Sequence, residues 1–312
     1  MINEIKVFAP ASVSNIACGF DAMGFAIDEP GDEIILRYTN LPGVTIKEIT
    51  GDDNKLSYNI FENTAGAPVA ALMKDFNIKS GVEIEIHKKM PLGSGLGSSA
   101  ASAVAAAFAA NILFDLNLSK HLLLPYAIKG EEIASGAIHA DNVAPCLFGG
   151  FILIRSYSPI DIIELPVPDN LYCTIIHPNI IINTKESRAK LPIQVPLKSA
   201  VAHWGNTAGL VAGLFKQDIK LIGRAIEDVI IEPVRAEFIP GYYGIKEAAY
   251  KNGAVGCNIS GSGPSIFALS ESLIIAQNIG NSMLKAADEA GLKPNVYVSK
   301  INKVGPKVIY KL

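Results

Sequence analysis

The sequence predicts a mixed fold, α+β or α/β, built on two sheets. Three observations predict it. Strand-type and helix-type patterns interleave in both halves of the chain, a proline-rich stretch separates the halves, and 312 residues exceed one average domain. Residues 33–38 and 44–49 read as short strands. Residues 64–76 follow as a helix. Residues 82–87 alternate apolar and charged side chains, the period-two signal of a half-buried strand. Helices are expected at 98–114 and at 119–135, then an apolar strand at 151–155. Pro159, Pro166 and Pro168, followed by Asp169 and Asn170, interrupt regular structure and mark a seam between units of residues 1–168 and 169–312. Beyond it, 172–177, 265–269 and 295–301 read as strands, and 199–215, 218–230, 244–251 and 272–290 as helices. No internal repeat is present.

Composition narrows the function classes. Hydrophobic residues make up 49% and charged residues 18%, which excludes a disordered chain. Lys and Arg total 27 against 30 Asp and Glu, a net charge of −3. Nucleic-acid binding needs a basic face, so this balance argues against it, and any polyanionic ligand must be held by local groups. Cys18, Cys146, Cys173 and Cys257 lie far apart with no CxxC pair, which argues against a disulfide scaffold or a structural zinc site and fits a cytoplasmic protein with reduced thiols. The histidines show no HExxH spacing, and the N-terminus has no apolar h-region. Residues 90–114 carry no charge and are long enough to span a bilayer. They open with Pro91 and three glycines, however, and fill with Ala and Ser. Their bulky residues, Val104, Phe108 and Ile112, recur every four positions as one stripe of a buried helix. No membrane association is expected.

The strongest local signal is Pro91-Leu92-Gly93-Ser94-Gly95-Leu96-Gly97-Ser98-Ser99-Ala100, between a strand and a helix. Alternate glycines permit positive φ, so successive main-chain N–H groups can converge on one anion. The following helix adds its unpaired first-turn N–H groups and the positive end of its dipole. The plainer alternative is a glycine turn with Ser98 as an ordinary N-cap. The loop is neither a Walker A sequence nor a dinucleotide fingerprint, because no lysine follows the last glycine and the glycine spacing differs. Phosphate charge must then be met otherwise: by Lys88 and Lys89 upstream, or by Mg²⁺ held between a serine hydroxyl and a carboxylate. Glu131 and Glu132, on the next helix, are the nearest unexplained acids, with a solvated helix face as their plainer reading.

Residues 91–102, PLGSGLGSSAAS, resemble the phosphate-binding motif of the GHMP kinases. Residues 9–24, APASVSNIACGFDAMG, are similar to the family's first motif, and residues 258–265, NISGSGPS, to its third. The Asn-x-x-x-Gly-Phe-Asp pattern at 15–21 and the run His139-Ala140-Asp141-Asn142-Val143-Ala144-Pro145 point to the homoserine kinase branch. Mevalonate and galactose kinases typically carry Lys or Arg where Ser12 and Ser14 stand, and an aspartate base where Asn142 falls. The chain departs from the branch's pattern at Ser14, Ala17 and Cys18, all small, so the loop shape is expected to survive.

The resemblance implies a two-domain GHMP kinase fold of the α+β class, with a ribosomal-protein-like N-terminal domain, a ferredoxin-like C-terminal domain and the site in the cleft between them. It implies ATP-dependent phosphorylation of the L-homoserine hydroxyl, with Mg²⁺, and a homodimer by analogy. ATP is assigned to Pro91, Leu92, Gly93, Ser94, Gly95, Leu96, Gly97, Ser98, Ser99, Ala100 and Ala101, to Gly261, Ser262 and Gly263, and, at the adenine, to Asn63. Mg²⁺ falls to Glu131 with Ser99 or Ser98. Homoserine falls to Asn15, Asp21, His139, Asn142, Thr184, Arg188 and Arg235, its carboxylate calling for arginine and its ammonium for Asp21 with Asn15 and Asn142. The catalytic set is Asp141, Asn142 and Glu131, with the proton leaving to Asp141, to solvent or to the phosphate. Two other readings stand beside this one, a mevalonate- or shikimate-type kinase and a nucleotide binder without turnover.

Overall fold

The computed structural model describes residues 2–136 and 139–312. In chain order its elements are β1 Glu4–Ser14, β2 Met23–Thr39, β3 Val44–Thr50, α1 Gly66–Asp75, β4 Gly81–His87, α2 Ser98–Leu113, α3 Lys120–Ser135, α4 Val143–Phe148, β5 Phe151–Tyr157, β6 Ile160–Leu165, β7 Tyr172–His177, α5 Thr184–Ala189, α6 Leu197–Lys216, α7 Ile219–Ala225, α8 Glu232–Ala236, α9 Tyr242–Lys251, β8 Gly256–Ile259, β9 Ile266–Ser270, α10 Leu273–Glu289, β10 Asn295–Lys300 and β11 Lys307–Lys311. The first sheet runs β11-β1-β2-β4-β3, with β5 on β2 and β6 on β5. The second runs β10-β7-β9-β8 and is antiparallel throughout.

Several ends follow from local chemistry. The Ser119 side chain accepts from the Leu122 N–H to start α3, Asp218 accepts from Leu221 to start α7, and Ser272 accepts from Ile275 to start α10. Pro159 lies in the turn between β5 and β6, whereas Pro166 and Pro168 lie where the chain leaves the first sheet for the second.

The alanine-rich helix α2 is the middle of the N-terminal layer. It lies against β1 and β2 on one side and α1, α3 and α4 on the other. Of its 16 residues 13 are buried, so burial is not confined to the expected stripe; Phe108 and Ile112 are in fact only half-buried. Alanine permits this, because its short side chain lets backbone approach from every direction. Among the described residues no helix is long and apolar enough to cross a membrane.

Several contacts join the sheets, among them a hydrogen bond from the Glu29 N–H of β2 to the Ser299 hydroxyl oxygen of β10 at 3.1 Å. Phe25 of β2 meets Phe267 of β9 edge-on at 5.8 Å, and Ile27 bridges to Ile301. The last strand, β11, then returns to pair antiparallel with β1, so residues 307–311, expected in the C-terminal unit, complete the first sheet.

Candidate active site

The end of β1, the loop between β4 and α2, and the turn between β8 and β9 converge. The Ser12 N–H donates to the Leu96 carbonyl at 3.0 Å, the Gly261 N–H to Ser14 at 3.2 Å and the Ser265 N–H to Ser94 at 3.3 Å. The Ser260 hydroxyl donates to the Gly95 carbonyl at 2.6 Å. Two loop glycines are fixed by this meeting. Gly95 has φ +76°, and a Cβ there would lie 2.5 Å from the Ser260 carbonyl oxygen. Gly97 has φ +67°, and its Cβ would lie 2.2 Å from Ser12 Oγ. Alternating glycine therefore serves close approach as well as left-handed backbone.

Helix α2 begins here without a side-chain cap. Gly97 occupies the cap position, and no acid stands in the first turn. Ser98 is not the N-cap of the plainer reading; its hydroxyl donates to Asp32 at 3.0 Å. The first-turn N–H groups thus have no side-chain acceptor, the condition that favours an anion at a helix start.

These elements enclose a cleft of about 560 Å³. Its walls include Leu92, Gly93, Ser94, Gly95, Gly97, Ser98 and Ser99 of the loop, Gly261 and Ser262 opposite, and Glu131, Asp141 and Asn142 between them. Asn15, Asp21, His139, Thr184, Arg188 and Arg235 form the other end. Pro91, Leu96, Ala100, Ala101 and Gly263 are not in the wall, and Leu96, Ala100 and Ala101 belong to the core beneath it. Asn63 does not reach the cleft either. Its amide donates to the Ser57 carbonyl at 2.8 Å and its side-chain oxygen accepts the Ala65 N–H at 2.9 Å, so it shapes the start of α1, while its neighbour Thr64 lines the cleft. Of the upstream lysines, Lys88 touches the cleft wall but its ammonium is held by Asp32, and Lys89 pairs with Glu33 outside the wall. Glu132 is exposed, as a solvated helix face predicts.

At the far end two arginines flank the Phe20 ring, with guanidinium carbons 5.5 Å (Arg188) and 5.3 Å (Arg235) from its centroid. Arg188 forms a two-pronged pair with Asp21, at 2.9 and 2.7 Å. Arg235 is 3% exposed and donates to the Gly261 carbonyl. Among the described residues no carboxylate pairs with it, and its Nε has no partner. Burial pulls its pKa down to about 10. Asn15 ties the end together: its amide donates to Gly261 at 3.0 Å and its oxygen accepts the Asp21 N–H at 3.0 Å. Asn15, Ile16 and Ala17 all have positive φ, a strained run of the kind found at ligand sites. His139 Nδ1 lies 4.0 Å from Asp21, and burial lowers its pKa. The Thr184 hydroxyl is 3.1 Å from that of Ser262.

Three groups occupy the middle. Asn142 is clamped by the first motif: the Ser12 hydroxyl donates to its oxygen at 2.8 Å, and its amide donates to Ser14 Oγ at 3.0 Å. Burial pushes Asp141 up to about 7, assisted by the Asp21 charge and opposed by a hydrogen bond with Ser14. Burial likewise pushes Glu131 up to about 7, against a hydrogen bond with Ser99. Among the described residues no three His, Cys, Asp or Glu side chains cluster as a metal cage. A carboxylate with one hydroxyl does fit Mg²⁺, which keeps water and takes phosphate oxygens beside one or two protein groups.

The family model for the GHMP kinase N-terminal domain matches residues 63–150, and that for the C-terminal domain matches 210–289. The chain belongs to the GHMP kinases. This GHMP kinase is 47% identical to a homoserine kinase of Chlorobium phaeobacteroides (strain BS1), over 99% of its own length and the whole of the relative. It superposes on the crystal structure of homoserine kinase from Cytophaga hutchinsonii with a TM-score of 0.97 and 54% identity, covering 99% of this chain and 98% of that one. An L. major mevalonate kinase in complex with R-mevalonate shares the fold, with a TM-score of 0.73, 18% identity and coverage of 95% and 96%. The two-domain GHMP kinase fold expected from the motifs is the fold found.

Sequence reasoning missed Ser12 and Ser14 as the clamp on Asn142, Leu56, Thr64, Ile182 and Asn183 as wall residues, and Asp32 beneath the loop. Ser12 and Ser14 carried a signal by lying inside the first motif, and Thr64, Ile182 and Asn183 by lying beside Asn63 and Thr184; Leu56 and Asp32 carried none.

Proposed function

We infer that this kinase transfers the γ-phosphoryl group of ATP to the side-chain hydroxyl of L-homoserine, giving O-phospho-L-homoserine for threonine biosynthesis. Full-length similarity to homoserine kinases, at 47% and 54% identity, supports the activity. One observation supports the substrate most directly: Arg235 is a buried guanidinium in the cleft with no carboxylate partner among the described residues. The carboxylate of a small acid supplies that partner, and the Asp21 carboxylate in the same cleft answers to the ammonium that homoserine carries and mevalonate and shikimate lack.

ATP enters with its phosphates along residues 93–99 and the Gly261–Ser262 turn. Glu131 and Ser99 are the groups that would hold Mg²⁺; Ser98 is already engaged by Asp32. Bound there, the cation would neutralise phosphate charge. The homoserine carboxylate faces Arg235 and Arg188, and its ammonium faces Asp21, with Asn15, His139 and Thr184 shaping the pocket. Asp21 and Arg188, which now neutralise each other, exchange that contact for the two charges of the zwitterion. Asn142, held by Ser12 and Ser14, orients the hydroxyl, and Asp141 holds the released proton at its carboxylate, since a group titrating at about 7 suits that task. Transfer through a loose, charge-rich transition state then depends mainly on positioning and fixed donors. We place the domain seam at 168/169, with β11 returning to the N-terminal domain, and assign the protein to the cytoplasm as a homodimer.

A coupled ADP-release assay with L-homoserine, mevalonate and shikimate tests the reading. Turnover with L-homoserine alone is expected. Turnover with mevalonate alone refutes it, and nucleotide binding without transfer to any alcohol supports the non-catalytic alternative.

A further inference from the structure

A buried ion pair brackets the glycine-rich loop. Asp32 on β2 and Lys88, just after β4, are in direct contact, with side chains 0% and 1% exposed. The Asp32 carboxylate also accepts the main-chain N–H groups of Lys89 at 2.8 Å and Met90 at 3.2 Å. It further accepts the hydroxyls of Ser98 at 3.0 Å and Ser102 at 3.5 Å. Lys88 gives its other two protons to the Ser98 carbonyl at 2.7 Å and the Ser102 hydroxyl at 2.8 Å. Residues 88–90 precede the loop and residues 98–102 open α2, so one pair ties the loop's two ends together. All three ammonium protons have acceptors, and the lysine charge is neutralised where it stands. A buried pair of this kind contributes little net stability, although breaking it leaves an uncompensated charge.

We propose that Asp32 and Lys88 are positioning residues, an ionic staple that holds residues 91–97 in the curve on which their N–H groups converge. The proposal rests on the reading of this loop as the cradle for nucleotide phosphates. It accounts for a phosphate loop that works without its own lysine: Lys88, just upstream, sets the shape of the loop and leaves the phosphates to main-chain donors.

The test uses the full-length protein, calorimetric titration with ADP, steady-state kinetics and hydrogen exchange of residues 91–99. Asp32→Asn and Lys88→Met are each expected to weaken ADP binding by about tenfold or more, since each orphans a buried charge. KM for ATP should rise while KM for L-homoserine stays within about twofold, and the loop amides should exchange faster with the sheet amides unchanged. The Asp32→Asn/Lys88→Met double variant is expected to recover part of the loss. Ser102→Ala, which removes only the shared hydroxyl, gives a smaller change in the same direction, and it carries the test with the double variant if a single variant fails to fold. Wild-type ADP affinity and loop exchange in folded variants overturn the staple. So does an equal loss for ATP and L-homoserine, or a double variant as weak as Lys88→Met, which instead marks a direct phosphate contact. If the wild type itself binds no ADP, the cradle reading falls first, and that outcome is seen before any variant is made.

Discussion

Gly97→Ala probes the point where the first two motifs meet. The residue sits at φ +67° and ψ 33°, so any side chain there is strained. Left-handed backbone costs a non-glycine residue about 1–2 kcal/mol. The new Cβ would also lie 2.2 Å from Ser12 Oγ and 2.8 Å from Asn142 Oδ1, the two atoms whose hydrogen bond clamps Asn142. Separating them forfeits a further contribution of about 1 kcal/mol. A total loss of about 2–3 kcal/mol is therefore expected by chemical denaturation. Gly93→Ala is the internal comparison. It has the same φ of +67°, but its nearest outside atom is Ile181 Cγ2 at 3.7 Å, so only the strain contribution applies. Its stability loss should be about half as large, by the same backbone figure. Turnover in the coupled assay should fall steeply in Gly97→Ala, because Asn142 moves. A Gly97→Ala protein with wild-type stability and turnover, or one more stable than Gly93→Ala, refutes this reasoning.

Arg235→Met should raise KM for L-homoserine by about 10–150-fold, the range of a lost charged hydrogen bond of about 1.5–3 kcal/mol. The same change should leave the thermal midpoint equal or higher, since it removes a buried cation; a collapse in stability with unchanged KM contradicts the assignment. Glu131→Ala should shift the Mg²⁺ dependence of turnover to higher concentration, and wild-type turnover across the whole titration removes Glu131 from the metal site. The pH dependence has a defined sign. Burial raises Glu131 to about 7, above the value of about 4.3 for a free glutamate. Between these values the folded protein keeps a proton that the unfolded chain has lost, so the group's contribution is full below about pH 4 and declines as pH rises to about 7. Measured without nucleotide or metal, the wild type should lose stability relative to Glu131→Gln from pH 5 to 7, and a difference independent of pH counts against the raised value.

Much of this was legible in the chain, and the reasons for the gaps are physical. Residues 82–87 announced β4 because one face is half-exposed and the charges alternate; β1 is buried along most of its length, contains Pro10, and offers no alternation to read. Strand β11 carries its meaning in a partner some 300 positions away, invisible to local pattern. The loop was legible because glycine spacing is a local device. The reasons for Gly95 and Gly97 were not, since they lie in Ser260 and Ser12, brought close by tertiary structure alone. The same holds for charge. From sequence alone Lys88 is a candidate counter-charge for phosphate, a role its burial against Asp32 removes, and Arg188 and Asp21, each expected at one end of homoserine, hold each other.

The most direct test of the central claim is a crystal structure with a non-hydrolysable ATP analogue, Mg²⁺ and L-homoserine. The account predicts the terminal phosphates against the main-chain N–H groups of residues 93–99, with the amino-acid carboxylate on Arg235 and its hydroxyl facing the γ-phosphorus beside Asp141. Phosphates bound away from that loop, or homoserine turned so that its carboxylate leaves Arg235 unpaired, would contradict it.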